Sequence, residues 1–237
     1  MQLDLHICKT LQSGKRRFDM DVRIQSQSQR VVIYGPSGAG KSLVLKAMAG
    51  LLQPDRGHIR LNGHTLFDHA AGINVAPQER QVGYLFQDYA LFPHLTVRQN
   101  IAFGLSRGWF NPRARVQADA VDYWLDAFEL SGLAHQLPED LSGGQRQRTA
   151  LARALVTQPR ALLLDEPFAA LDQDLRATLR QELLDVQQRL NVPLVLITHD
   201  PQDVVIFGEH VVRLHNGAVR GDLPPDNQAS PCLEACL

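Results

Sequence analysis

The sequence predicts an α/β fold: a parallel β-sheet core covered by helices, with an N-terminal antiparallel β-subdomain and a helical insertion. Two early segments alternate apolar and polar residues, later apolar runs alternate with helical stretches, and residues 96–158 repeat apolar positions three and four apart. A length of 237 residues suits one domain with an insertion. We therefore expect a core of residues 1–95 and 159–220, a helical subdomain of residues 96–158 and a tail of residues 221–237.

The N-terminal part predicts two antiparallel strands and then a buried strand. "LDLHI" and "FDMDVRI" alternate with period two, as half-buried strands do, and "CKTLQSGKRR" is expected to form the turn between them. "RVVIYG" is an unbroken apolar run that ends in glycine, which is typical of a buried parallel strand. It leads into the predicted helix "KSLVLKAMAGLL".

The remaining elements continue this alternation of strand and helix. "GHIRLNG" and "QVGYLFQD" read as short strands, and helical spacing returns in "ADAVDYWLDAFELSGL" and "GQRQRTALARALV". The strands "ALLLDE" and "PLVLITHD" are separated by the polar helix "QDLRATLRQELLDVQQRL", and "HVVRLHNG" closes the pattern as a hairpin-like end. The Pro-rich "DLPPDNQASPCLEACL" reads as a loose tail.

Composition excludes several classes of protein. The 24 Lys and Arg against 25 Asp and Glu give a net charge of −1, which argues against a nucleic-acid binder. Cys8, Cys232 and Cys236 form neither a disulfide framework nor a complete zinc motif. The N-terminus does not resemble a signal peptide, and no apolar run approaches the roughly 20 residues of a membrane span. We expect a soluble chain in a reducing cytoplasm, with any membrane role supplied by a partner.

The segment "GPSGAGKS", residues 35–42, is the strongest chemical signal. It matches the pattern G-x-x-x-x-G-K-[ST] between a predicted strand and a predicted helix, which predicts a P-loop NTPase with a RecA-like sheet core. Lys41 is expected to reach the β- and γ-phosphates, and Ser42 to ligate Mg²⁺. An ordinary glycine-rich turn is the alternative. The predicted nucleotide-binding residues of this loop are Gly35, Pro36, Ser37, Gly38, Ala39, Gly40, Lys41, Ser42 and Leu43.

Two carboxylates and two polar residues at predicted strand ends complete this interpretation. Asp165 is expected to hold Mg²⁺ through water, and Glu166 to act as the general base, an effect typically worth roughly 10²- to 10⁴-fold. A carboxylate pair alone would more often be a solvated strand end. Gln87 and His199 also end predicted strands, and each gains weight only because the strands would end around one phosphate site.

The segment "LSGGQ", residues 141–145, raises a second question about phosphate binding. Ser142 and Gln145 have the S-x-x-Q spacing of a capping box, so the segment could merely start a helix. However, a glycine pair is unnecessary for a cap, whereas bare N–H groups at a helix N-terminus suit a phosphate. Because one subunit binds one nucleotide, this second phosphate-binding segment is expected to contact the nucleotide of another copy of the chain.

Together these motifs resemble the nucleotide-binding subunit of ABC transporters. The resemblance covers nearly all of residues 1–220 and includes "AALD" after the carboxylate pair. It implies a head-to-tail dimer, most simply a homodimer. Each ATP would lie between the Walker A loop of one cassette, residues 35–42, and the signature loop of the other, residues 141–145. By the same resemblance, Ser142 and Gly144 contact the γ-phosphate across the dimer, Gly143 and Gln145 complete that loop, and Asp172 lines the interface. Gln87 senses Mg²⁺ and the attacking water, and His199 holds the γ-phosphate and the base in register.

The resemblance also implies partners and a location. Membrane permease subunits would be moved through the surface around "QDYALFPHLTVRQN", residues 87–100, for which plain packing of the insertion is the alternative. The cassette would lie at the cytoplasmic face of the inner membrane, would serve a periplasmic solute-binding protein indirectly, and would need no nucleic acid. Residues 64–105 look like importers of small oxyanions, polyamines and iron, and "LFD…GINVAPQERQVGYLFQD" is most like the molybdate type. Iron, sulfate and polyamine remain alternative solutes.

The chain departs from the family pattern in two places, and several rival functions stay open. "CKTLQSGKRR" has no aromatic residue to stack on adenine, and Phe18 is the nearest candidate, so relaxed base selectivity is expected. The chain is expected to be too short for the C-terminal regulatory domain of many such importers. Rivals are a soluble ABC ATPase, a regulatory binding module and a small-molecule kinase. Lys41 and Asp165 lie only 124 positions apart, which disfavours the DNA-repair type, and a kinase has no use for "LSGGQ".

Overall fold

The computed structural model describes residues 1–14, 16–105, 111–113, 118–169 and 173–223. These residues form two compact units, one of residues 1–76 with the described residues from 195 onward, and one of residues 77–194. The described strands are β1 (Leu3–Ser13), β2 (Arg16–Ser26), β3 (Arg30–Tyr34), β4 (Arg56–Leu61), β5 (His64–Asp68), β6 (Ile73–Asn74), β7 (Val82–Leu85), β8 (Ala161–Asp165), β9 (Leu194–Thr198), β10 (His210–His215) and β11 (Ala218–Leu223). The described α-helices are α1 (Lys41–Ala49), α2 (Val97–Phe103), α3 (Asp119–Ala127), α4 (Gly143–Leu155), α5 (Gln173–Leu190) and α6 (Pro201–Phe207).

The first unit is built on a mixed sheet in the strand order β6-β5-β4-β1-β2-β11-β10-β3-β9. β1 pairs antiparallel with β2 and with β4, whereas β10 runs parallel to β3. The period-two pattern explains this arrangement, because one face of β1 and β2 is buried and the other is polar. The buried apolar side chains of these two strands are Leu3, Leu5, Ile7, Met20, Val22 and Ile24.

The predicted turn "CKTLQSGKRR" is wrong for most of its length. The β1–β2 ladder continues through Cys8↔Asp21 and Leu11↔Phe18 to Ser13↔Arg16. Gly14, at φ 58°, lies at the tip, in a conformation that glycine adopts readily. The expectation failed because polar residues were taken as a sign of a loop, whereas the solvent face of an antiparallel strand is equally polar.

The C-terminal end of the first unit is the predicted hairpin. β10 and β11 pair antiparallel, with a register shift between Val212 and Leu214. β11 continues to Leu223, so the first two residues of the predicted tail segment "DLPPDNQASPCLEACL" belong to a strand, and its remainder lies outside the described residues. The short strands β5 and β6 and the helix α6 were not predicted.

The second unit contains the parallel pair β7–β8 and the helices α2 to α5. The predicted helical segment of residues 96–158 lies within this unit. α5 has the predicted bounds, and α4 begins one residue earlier than predicted. α3 ends at Ala127, and a short 3₁₀ turn at Ser131–Leu133 follows it, so the predicted single helix of residues 118–133 is interrupted. No described helix is both long enough and apolar enough to cross a bilayer.

The segment before α2 is fixed by one buried amide. Asn100 is completely buried, and its Oδ1 accepts from the N–H of Phe92 at 2.9 Å. Its Nδ2 donates to the carbonyls of Phe92, Leu95 and Thr96. Since buried polar groups are stable only when paired, this side chain specifies one conformation for residues 92–96.

Candidate functional site

The predicted phosphate loop, residues 35–42, connects β3 to α1 in the first unit. Its glycines are required for two different reasons. A Cβ on Gly35 would lie 2.1 Å from the Leu214 carbonyl oxygen, so no side chain fits there. Gly38 and Gly40 have φ of 80° and 99°, the left-handed region that glycine adopts without a steric penalty. This conformation allows successive backbone N–H groups to face an anion at the start of a helix.

Lys41 is folded over its own loop. Its side chain is buried, and Nζ donates to the carbonyls of Gly35 at 2.7 Å and Pro36 at 3.1 Å. The N-cap residue of α1, Gly40, contributes no side-chain cap. A cation held at this point adds its charge to the positive end of the α1 dipole, which is the electrostatic arrangement that a polyphosphate requires.

Two other parts of the first unit contact the phosphate loop. The Gly217 N–H, in the β10–β11 turn, donates to the Ala39 carbonyl at 3.0 Å. A Cβ on Gly40 would lie 3.0 Å from Cζ of Phe18, so the half-buried Phe18 ring lies against the loop. Phe18 was singled out from the sequence only because no other aromatic residue was near.

His199 follows β9, which is the neighbour of β3 in the sheet. It is exposed, and its backbone position is fixed by the residues beside it. The Thr198 hydroxyl donates to Asp203 and accepts from the N–H of Asp200 at 2.9 Å. The structure therefore brings His199 and the phosphate loop to segments that follow adjacent strands of the first unit.

Asp165 lies at the end of β8 in the second unit and is held by a residue that was not predicted. The Tyr84 hydroxyl, on the parallel neighbour β7, donates to Asp165 Oδ2 at 3.2 Å. Burial, reinforced by the negative charge of Asp165, raises the pKa of Tyr84 well above its ordinary value, so Tyr84 stays a donor. In the sequence, the sign of this role was the Tyr84 hydroxyl within the otherwise apolar strand "VGYL".

Glu166 and Gln87 follow the ends of the same two strands. Glu166 has φ 47°, a left-handed conformation that costs a non-glycine residue of the order of 1–3 kcal/mol. Such strain is found preferentially at functional sites, where the surroundings fix the side-chain direction. Gln87 is exposed in the turn after β7. Asp165, Glu166 and Gln87 thus come from adjacent parallel strands of one unit.

The predicted capping box at the start of α4 is present. Ser142 Oγ accepts from the Gln145 N–H at 3.3 Å, and Gln145 Oε1 accepts from the Ser142 N–H at 2.8 Å. The simple capping interpretation is therefore correct as far as it goes. The cap leaves the N–H groups of Gly143 and Gly144 without a hydrogen-bond acceptor among the described residues. Ser142 is exposed, so the start of this 13-residue helix can receive an anion.

The glycine at position 144 also has a packing reason. Gly144 is buried, and a Cβ there would lie 3.2 Å from Leu175 Cδ1 on α5. Arg148 of α4 also bonds to α5. Its Nε and Nη2 donate to the two carboxylate oxygens of Glu182 at 2.9 and 2.7 Å. A bidentate Arg–carboxylate pair defines geometry as well as energy. α5 thus positions the start of α4.

Ala90 and Phe92 line an apolar groove of about 370 Å³ in the second unit. Arg153 of α4 donates to the carbonyls of Tyr89 and Ala90, both at 2.7 Å, and its guanidinium lies 5.5 Å from the centre of the Phe92 ring. Tyr89 and Ala90 have φ of 63° and 43°. A half-buried arginine therefore holds a strained segment at the rim of the groove. Arg153 was not predicted, because its partners are more than 60 positions away.

The predicted site residues thus fall into separate groups. The phosphate loop and His199 belong to the first unit, whereas Gln87, the carboxylates and the segment 142–145 belong to the second. Asp172, predicted at a dimer interface, lies outside the described residues. The oxygen donors of Ser42, Gln87 and Asp165 are of the type that Mg²⁺ prefers.

Comparison with known proteins identifies the family. The profile of the ABC transporter family matches residues 19–169. The sulfate/thiosulfate import ATP-binding protein CysA of Synechococcus elongatus is 43% identical over 218 residues, covering 90% of this chain and 60% of that protein. The molybdenum import ATP-binding protein ModC of Mycobacterium tuberculosis is 44% identical over 207 residues, covering 86% and 56%. The Fe(3+) ions import ATP-binding protein FbpC 2 of Pectobacterium atrosepticum is 42% identical over 217 residues, covering 91% and 60%. The chain thus spans less than two thirds of the length of these relatives.

A solved structure agrees with the sequence relatives. The dimeric post-hydrolysis state of the ATP-binding cassette MJ0796, bound to ADP and Pi, matches with a TM-score of 0.76 and 28% identity. The match covers 94% of this chain and 98% of that one. The predicted P-loop NTPase fold is therefore confirmed. The chain belongs to the ABC transporter family as an ATP-binding cassette.

Proposed function

We propose that this cassette powers a membrane importer by hydrolysing ATP between two copies of the chain. The observation that carries the proposal is the start of α4, where an intact capping box leaves two N–H groups bare at an exposed helix N-terminus. Every helix start leaves some N–H groups unpaired, but a cap that served only the helix would have no need of a glycine pair at these two positions. It suits a phosphate brought by a second molecule, and the phosphate loop is the part of the chain suited to bring it.

The proposed roles of the phosphate-binding residues follow from their geometry. The loop of residues 35–43 binds the triphosphate, and Lys41 exchanges its bonds to Gly35 and Pro36 for bonds to phosphate oxygens. Because the exchange replaces neutral acceptors by charged ones, it favours the bound state. Across the dimer, Ser142 and the N–H groups of Gly143 and Gly144 bind the γ-phosphate, Gln145 holds the Ser142 backbone, and Asp172 lines the interface.

The proposed catalytic group comprises Glu166, Gln87 and His199. Glu166 removes a proton from the attacking water, in the strained conformation that fixes its side chain. His199 orients the γ-phosphate. Mg²⁺ would be held by Ser42, Gln87 and Asp165, and it would neutralise charge on the phosphates. Tyr84 positions the Asp165 carboxylate through its hydroxyl.

We further propose that the groove beside residues 87–100 receives a permease segment. It is lined by Phe86, Phe92 and Phe103, and it lies on the same segment as Gln87, so a partner seated there would sense the nucleotide state. The cassette would then be a peripheral subunit at the cytoplasmic face of the inner membrane, and a periplasmic solute-binding protein would deliver the solute. Apolar lining with one arginine suits an amphipathic helix.

The solute that we favour is molybdate, with iron, sulfate and polyamine as alternatives. The preference comes from the likeness of residues 66–88 to the molybdate type. The relatives named for sulfate, molybdenum and iron are 43%, 44% and 42% identical to this chain, so overall identity does not discriminate between them. Comparing the uptake of each solute by cells with and without this chain would discriminate between them.

The decisive experiment for the interfacial mechanism is Glu166→Gln. The variant keeps the shape of the side chain and removes the base, so we expect ATP binding to persist, a stable dimer to form with ATP and Mg²⁺, and hydrolysis to fall roughly 10²- to 10⁴-fold. Light scattering and phosphate release measure the two effects. Glu139→Gln makes the same chemical change at an exposed position of the second unit and serves as the control. Hydrolysis at the unmodified rate, or a variant that stays monomeric with saturating ATP, would contradict the mechanism.

A further inference from the structure

A second cluster of chemically active side chains lies on the polar face of the first unit, apart from the phosphate loop. His6 and Cys8 are two residues apart on β1 and therefore share one face of the sheet. Asp21 of β2 is the direct cross-strand partner of Cys8. The strand register, and not the sequence spacing, brings these three residue types together.

The three side chains already converge on one point. His6 Nε2 lies 2.9 Å from Asp21 Oδ1 and 3.3 Å from Cys8 Sγ. One ligand atom of each residue lies within 4.8 Å of the other two. In a tetrahedral zinc site, ligand atoms at about 2.0–2.3 Å from the metal lie roughly 3.3–3.6 Å apart, so only small rotations are needed to surround an ion.

We propose that His6, Cys8 and Asp21 form a binding site for a divalent transition cation of the zinc type. The imidazole, thiolate and carboxylate are three ligands that Zn²⁺ commonly takes, and a water would complete the four-coordinate sphere. The ionised thiol and carboxylate together balance the charge of the cation. The half-buried position of Cys8 and the largely exposed Asp21 leave a path from solvent.

Charged groups surround the Cys8 thiol. Burial, with the negative charge of Asp21, raises the pKa of this thiol, and the positive charges of Arg23 and Arg56 act in the opposite direction. The thiol releases its proton to solvent when the sulfur–metal bond forms, because the thiolate is the metal ligand. His58 faces the same cluster edge-on to His6, with 6.4 Å between ring centres, and it bonds Asp4 at 3.2 Å.

The test uses the full chain with Cys232→Ser and Cys236→Ser, so that Cys8 is the remaining thiol. Co²⁺ alone is added under a reductant without thiols, and Zn²⁺ is then titrated in competition. We expect a thiolate-to-cobalt charge-transfer band with a tetrahedral visible spectrum, and loss of both as zinc replaces cobalt. Cys8→Ser should abolish the charge-transfer band. His6→Gln and Asp21→Asn should each weaken the affinity at least about tenfold, judged from the lesser effect of changes to groups that only support metal ligands.

His64→Gln supplies the matched control, because it removes a histidine from β5 and lies outside the cluster. It should bind both cations as the background protein does. The proposal would be overturned if the background protein bound cobalt no better than Cys8→Ser, or if His6→Gln and His64→Gln had equal effects. Neither result would affect the proposed transport function, because none of the three residues belongs to the nucleotide site.

Discussion

The phosphate loop of the first unit and the signature segment of the second, residues 141–146, both start a helix at a point suited to an anion. They satisfy the helix N-terminus in opposite ways. α1 starts at a glycine without a side-chain cap, and a buried lysine lies over the loop. α4 starts with a reciprocal cap between Ser142 and Gln145 and has no lysine in the segment. Arg146 of that segment donates to the Leu141 carbonyl.

This difference indicates that the two segments are suited to different parts of nucleotide binding. The phosphate loop combines backbone N–H groups, a helix dipole and a cationic side chain, an arrangement suited to bind a polyphosphate within one chain. The signature segment offers a hydroxyl and unpaired N–H groups but no cation held over them, so it lacks the charge–charge attraction that Lys41 adds to the phosphate loop. It is therefore suited to add the last contacts to a nucleotide that is already held. The following variants test the role of the phosphate loop and the role of the signature segment separately.

The largest effect is expected from Lys41→Met, which keeps the apolar stem of the side chain and removes its charge. Hydrogen bonds to charged groups contribute about 1.5–3 kcal/mol, so ATP binding by the monomer should weaken roughly 10- to 100-fold. Lys46→Met, at an exposed position of the same helix, is the control and should bind normally. Calorimetry at concentrations below dimerisation measures both. If Lys41→Met left the ATP affinity of the monomer unchanged, the lysine would not distinguish the phosphate loop from the signature segment.

An intermediate effect is expected from Ser142→Ala. Hydrolysis by the dimer should fall roughly 10-fold, because one hydrogen bond to the charged γ-phosphate is lost, at the lower end of the about 1.5–3 kcal/mol that such bonds contribute, while nucleotide affinity of the monomer should be kept. The second unit offers a matched control, since Thr96 and Gln99 form the same capping box at α2. Both Ser142→Ala and Thr96→Ala should cost about 1 kcal/mol of folding stability, yet only the first should affect hydrolysis. If Ser142→Ala and Thr96→Ala slowed hydrolysis equally, Ser142 would act only as a helix cap.

The smallest effect concerns the glycines themselves. A Cβ on Gly38 would meet no described atom within 4 Å, but φ is 80° there, so Gly38→Ala should cost about 1 kcal/mol through backbone strain alone. Gly144 is helical, and a Cβ there would lie 3.2 Å from Leu175, so the helix propensity gained by Gly144→Ala should roughly offset the crowding, with a net change below about 0.5 kcal/mol. Denaturant unfolding of the two variants measures the difference. A larger loss in Gly144→Ala than in Gly38→Ala would mean that packing against Leu175 limits substitution at the start of α4 more than conformation limits it in the phosphate loop.

Local signals in the sequence predicted the features that depend on neighbouring residues. The phosphate loop, the capping box at Ser142 and the bounds of α5 all follow from residues close along the chain. The β1–β2 hairpin was predicted with strands that were too short, since a polar strand face and a loop have the same composition. The short strands β5 and β6 offered no period long enough to recognise.

The sequence alone determined the family of this protein, its fold class and the glycine-containing starts of α1 and α4, because glycine conformation, capping and helix dipoles act within a few residues. Only the tertiary structure decided the contacts made across strands and helices. These are the Tyr84 hydroxyl on Asp165, the Leu214 carbonyl that excludes a side chain at position 35, the Arg153 bonds to residues 89 and 90, and the meeting of His6, Cys8 and Asp21. Strand register and helix packing bring such partners together from distant positions, and no local pattern encodes that distance.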